Sequence, residues 1–287
     1  MPQNDHFSRS EAEKERHNRQ IKERFQRYSQ SERSSSRINN FMRLKPSFPI
    51  ISNLFLALCL GVFALQVFSG VSLMSPSSED LIRWGANLAP LTLNGDYWRL
   101  FSSMFLHIGL VHLFFNMAVL RAWCPMAESC FGRLNFILLY LFSGLAGGLT
   151  SALWNSSGHI RLVISAGASG ALMGIGGAWL AVKLLQNLKR PAAGFEHIQV
   201  GNMLLIIGIN LAFGFLVMGV DNAAHVGGLL MGFMLALLFL LLSRQSVALR
   251  AVQLVCVALL AALIFFGLPH SLSSDELHAI RSEMEAP

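Results

Sequence analysis

After residue 49 the chain turns apolar and stays so for most of its length, broken at intervals by single charges or short polar turns. About 20 consecutive apolar residues carry a helix across the hydrocarbon of a bilayer. With the charges read as punctuation, seven stretches approach that length: 50–70, 104–120, 134–154, 162–182, 200–219, 222–243 and 251–268. The second is the shortest, stopped by Arg121. Lipid offers backbone polar groups no partner, so spans of this kind fold as helices. The pattern therefore predicts an all-α polytopic membrane bundle. Its organisation is a polar tail (1–49), six spans within 50–245, a seventh within 246–270 and an acidic end (271–287).

Composition agrees, with 53% hydrophobic and 13% charged residues against about 25% charged in a soluble domain. The net charge of +6 lies almost wholly in the tail. The apolar body is thus near balance, and no nucleic-acid partner is expected; the tail reads as a solvated segment. No secretory signal peptide is expected, because the first apolar run begins only near Ile50. Cys59, Cys124, Cys130 and Cys256 show no metal-like spacing, and no nucleotide-binding loop is present, so no cofactor is expected.

Basic residues set the orientation. With the N-terminus cytoplasmic, only Arg83, Arg99, Arg161 and Arg281 of the 22 Lys and Arg residues fall outside. The expected location is the inner (plasma) membrane, with the C-terminus outside. The loop 71–103, rich in Trp84, Tyr97 and Trp98, is expected to lie at the outer lipid interface.

Polar side chains within spans are costly and are functional candidates. The set here is His107, His112 and Asn116 on the second span, Ser169 on the fourth and His225 on the sixth, with Ser143 and Asn210 as milder cases. Even-numbered spans share one direction, so His112, Asn116, Ser169 and His225 fall at one depth in the outer leaflet. With the fourth span starting at 162, Ser169 lies roughly 10 Å below the outer surface at about 1.5 Å per residue. A serine needs a base to remove its proton, and neutral imidazole suits that work near neutral pH. His112 and Asn116 are four residues apart and share a helix face. Two donors beside an activated serine can form an oxyanion hole. If the stretch 163–167 is irregular, the Ser169 amide is a further donor.

Gly170-x-x-x-Gly174 and Gly228-x-x-x-Gly232 are small-residue faces that let helix backbones approach closely. That approach is what a Ser169–His225 contact requires. Each feature also has an ordinary reading. A membrane serine commonly bonds its own backbone, a lone histidine commonly packs, and such glycine pairs are common in bundles. Ser165 is a rival nucleophile, and Asp221 could orient His225 or be a loop residue. His107 reads as a structural residue facing away from His112.

The segments WR (98–99), HLFFN (112–116), ESCFG (128–132), GASG (167–170) and AHVGGLLMG (224–232) resemble, in this order, the motif set of the rhomboid intramembrane serine proteases. The resemblance covers about 50–245 and implies a rhomboid-like bundle with 6+1 helices. It implies a catalytic dyad of Ser169 and His225 without a third acidic member, and oxyanion donors His112 and Asn116. Trp98 and Arg99 would brace the long loop, and Glu128 and Gly132 the short connection after the second span. The implied substrates are single-span membrane proteins cut near the outer end of their helix, with membrane lipid as the surrounding partner. One departure is Met173, where relatives often carry an aromatic residue. Alternatives are a catalytically inactive helix-binding relative, a haem or metal protein using His107, His112 and His225, and a transporter.

Overall fold

The computed structural model describes residues 48–157, 160–188, 201–216, 221–242 and 274–285. The polar tail up to residue 47, the predicted seventh span at 251–268 and the last residues of the fifth lie outside them. The described chain is helical, with one isolated β-bridge between Asn87 and Ser165. Helix α1 (Ile50–Phe68) leads into a folded loop carrying α2 (Ser78–Arg83), α3 (Ala89–Thr92) and α4 (Arg99–Ser102). A 3-10 turn (Ser103–Phe105) precedes α5 (Gly109–Phe131), α6 (Arg133–Ser156), α7 (Ser169–Asn187), α8 (Gly201–Leu216) and α9 (Asn222–Leu242). A last helix, α10 (Asp275–Glu285), follows. Among the described residues, α1, α5, α6 and α9 are long and apolar enough to cross a membrane.

Neighbouring side chains fix the directions. His112, Trp123 and Phe131 of α5 meet Gly167, Gly176 and Trp179 in that order, so α5 and α7 are parallel. Gly228 and Gly232 of α9 meet Gly170 and Gly174 of α7, also in order. Ser143 and Gly147 of α6 meet Gly174 and Gly170, the reverse order, so α6 is antiparallel. Helices α5, α7 and α9 therefore all start at the face that carries the loop, as the parity of the spans predicts.

Lipid tails are as apolar as leucine, so close packing and hydrogen bonds hold such a bundle together. The α7–α9 seam shows the first device: a Cβ added at Gly228 or Gly232 would overlap the carbonyl of Gly170 or Gly174. Glu128, at 2% exposure, shows the second. Its carboxylate accepts from the Ile51 and Ser52 amides at 3.2 and 2.8 Å and from Ser52 Oγ at 2.8 Å. These amides lie in the first turn of α1, which has no local side-chain cap, so α5 caps α1 from across the bundle.

Two span boundaries differ from the sequence pattern. Helix α5 begins at Gly109, not 104, and continues through Arg121 to Phe131. Arg121 is exposed while Trp123, Cys124 and Ala127 are buried. A charge ends an apolar run without ending a helix that still has packing partners. The fourth span begins at Ser169 rather than 162. Residues 160–168 are non-helical, because their backbone pairs with the loop: Asn87 and Ser165 exchange two N–H···O bonds of 2.9 Å, and the Gly167 amide donates to the Ser103 carbonyl at 2.9 Å.

The loop itself is folded. Leu81, Leu88, Leu91, Leu93 and Leu100 are buried. Arg99 donates to the Ile82 and Ala86 carbonyls and to Asp96, with its guanidinium 4.6 Å from the Trp98 ring centroid.

Candidate active site

Ser169 is the first residue of α7, half-buried, preceded by the non-helical segment 160–168. His225 lies in the first turn of α9 at 5% exposure. Its Nε2 is 2.9 Å from Ser169 Oγ. For Nε2 to accept the serine proton, the ring proton sits on Nδ1. That atom has no hydrogen-bond partner among the described residues. Asp221 does not orient the ring. Its Oδ1 accepts from the Ala224 amide at 3.1 Å and its carbonyl from the His225 amide at 3.2 Å, which makes it the cap of α9. The arrangement is thus a pair rather than a triad.

Ser165, the rival nucleophile, is tied by its backbone to Asn87, four residues ahead of the serine that lies against His225.

The donor side is built differently. His112 Nδ1 accepts from the Ile108 amide at 3.3 Å, which leaves Nε2 as the protonated nitrogen. The ring packs flat enough on Gly167 that a Cβ there would lie 2.6 Å from Cε1, and Gly167 has φ +135°. Only glycine meets both conditions. Asn116, at 6% exposure, donates from Nδ2 to the His112 carbonyl at 3.0 Å, one turn deeper on the same helix face. One of its two amide protons is thereby engaged and one is left for another acceptor. On α7 the first intrahelical bond is Leu172 N–H to the Ala168 carbonyl, so the amides of Ser169, Gly170 and Ala171 lie ahead of the ladder.

His107 was not legible as a neighbour of this site. Its ring is fully buried and its centroid is 5.5 Å from that of His112. The five-residue spacing misleads because the two are not on one helix: His107 precedes Gly109, whose φ of +81° marks the turn into α5. That glycine was the available signal. Met173 is buried one turn after Ser169 on α7.

The Rhomboid domain family model matches residues 94–242, more than half of the chain. Rhomboid protease AarA of Providencia stuartii is 31% identical over 222 residues, which are 72% of this chain and 78% of AarA. Rhomboid protease GluP of Bacillus subtilis (strain 168) is 35% identical over 257 residues, 89% of this chain and 47% of GluP. RHOMBOID-like protein 1 of Arabidopsis thaliana is 41% identical over 187 residues, 65% of this chain and 46% of that protein. The chain belongs to the rhomboid family and is a multi-pass membrane protein. It spans about half the length of GluP and of RHOMBOID-like protein 1.

Proposed function

We propose that this protein is an intramembrane serine endopeptidase that cleaves single-span membrane proteins near the outer end of their helix. The observation that carries the reading is the 2.9 Å contact between Ser169 Oγ and His225 Nε2 at the starts of two parallel helices. The names of two relatives, rhomboid proteases GluP and AarA, support it.

In this reading His225 takes the proton of Ser169 Oγ as that oxygen attacks a backbone carbonyl. The imidazolium then returns the proton to the leaving amine, and water repeats the sequence on the acyl-enzyme. Negative charge on the carbonyl oxygen is met by His112 Nε2–H, the second Asn116 N–H and the Ser169 amide. The catalytic unit lies within 50–245, the N-terminal tail is cytoplasmic, and the membrane is the plasma (inner) membrane. Helix α10 packs on α3 at the loop face. That supports an extracytoplasmic C-terminus.

The test is Ser169→Ala in the purified full-length protein with a single-span substrate in proteoliposomes. Cleavage by the unaltered chain and none by the variant is expected. Equal cleavage by both removes Ser169 from the mechanism, and no cleavage by either favours an inactive helix-binding protein.

A further inference from the structure

The chain's C-terminal helix sits on the loop that holds the nucleophile's approach segment. Leu277 of α10 is 1% exposed and belongs to the main core. One turn on, Arg281 donates from Nη1 to the Asn94 carbonyl at 2.7 Å and from Nη2 to Asp96 Oδ1 at 3.2 Å. The other oxygen of that carboxylate accepts from Arg99 Nε at 2.9 Å. Arg99 in turn holds the Ile82 and Ala86 carbonyls at 2.7 and 3.3 Å. The next residue, Asn87, exchanges both backbone bonds with Ser165. Its side chain is also fixed, donating to the Gly148 carbonyl and accepting from Thr92 Oγ1. Two residues beyond Ser165, the Gly167 amide is held by the Ser103 carbonyl, and Gly167 is the residue on which His112 rests.

The contacts thus run unbroken from Arg281 through Asp96, Arg99 and Asn87 to the four residues before Ser169. Two basic residues distant in sequence converge on one carboxylate, and both bonds are charge-assisted, the stronger class of hydrogen bond.

We propose that α10 is a clasp on the loop and that Arg281 is a positioning residue, holding segment 163–168 so that Ser169 and the His112 rest on Gly167 stay in register. Its effect on turnover rests on the protease reading above; its effect on the loop does not. Arg281 touches neither the serine nor the base. Its role is to keep the loop backbone from loosening, and through it the extended segment that ends at the nucleophile.

The experiment compares the full-length chain with Arg281→Ala and, separately, Leu277→Asp, which removes the buried anchor but leaves Arg281 in place. Hydrogen exchange is followed at the amides of Ser165 and Gly167, together with kcat and KM for one single-span substrate. Both variants are expected to exchange about tenfold faster at these amides, on the order of one lost charge-assisted bond. They should also lower kcat about three- to tenfold with KM unchanged, while exchange at the α7–α9 seam stays slow. Exchange at Ser165 and Gly167 unchanged in both variants overturns the clasp, as does faster exchange with kcat unchanged. An unaltered chain that cleaves nothing refutes the protease reading, and the exchange comparison still decides the clasp.

Discussion

Two regions of this molecule bring polar groups to the same place by different means. The α7–α9 seam brings Ser169 to His225 through backbone packing, glycine against carbonyl, with the 2.9 Å Ser169–His225 contact at its end. The loop side places His112 and Gly167 through a series of hydrogen bonds among short helices and extended chain. A packed seam is set by volume and resists small perturbation until a side chain is inserted. A hydrogen-bonded loop is set by many modest contacts, each of which can be loosened singly. Ser169 and His225 are therefore brought together chiefly by the packed seam, and His112 and Gly167 chiefly by polar bonds that also hold the segment leading to Ser169.

Substitutions sharpen this contrast. The largest loss is expected for His225→Ala, about 10⁶-fold in kcat, because the serine then has no base; kcat measured on one substrate checks it. His112→Ala should lower kcat roughly 100- to 1,000-fold with KM little changed, the signature of a donor used in the transition state. An equal rise in KM would instead mark His112 as a packing residue. Gly228→Ala inserts a methyl group where the Gly170 carbonyl already lies. It should lower the midpoint of thermal unfolding, by about 1–3 kcal/mol of overpacking, and turnover at least tenfold, so that seam damage shows in both readouts. Glu128→Gln should also lower the unfolding midpoint, since a charged acceptor for three donors of α1 is lost, with turnover changing less than about threefold. Ser165→Ala is expected to change nothing beyond about twofold, because its backbone pairing does not use the side chain.

The same contrast explains what could be read in advance. The seam was legible because its determinants are local residue types: Gly170, Gly174, Gly228 and Gly232 at four-residue spacing beside a serine and a histidine. Parity of the spans then placed Ser169 and His225 together. The loop was not legible, because its order comes from contacts distant in sequence. Nothing local to Asn87 says that it pairs with Ser165, so the fourth span was extended seven residues too far toward 162. Arg121 misplaced the end of the second span for the opposite reason: a charge marks the edge of lipid, while Trp123 and Ala127 mark where packing continues. His107 was set aside by a helical spacing that does not apply ahead of Gly109. Glu128 was assigned to the connection beside it, where its carbonyl accepts from the Gly132 amide and its carboxylate lies 3.8 Å from Arg133 Nε; its further bonds to Ile51 and Ser52 come from a partner only the folded bundle supplies.

The central claim is that the first turn of α9 activates the first residue of α7. Labelling the purified full-length protein with a fluorophosphonate, followed by mass spectrometry of its peptides, tests it most directly. The account predicts one modified residue, Ser169, in the unaltered chain, and loss of that adduct in His225→Ala. An adduct on Ser165, or on Ser169 at the same rate without the histidine, would contradict it.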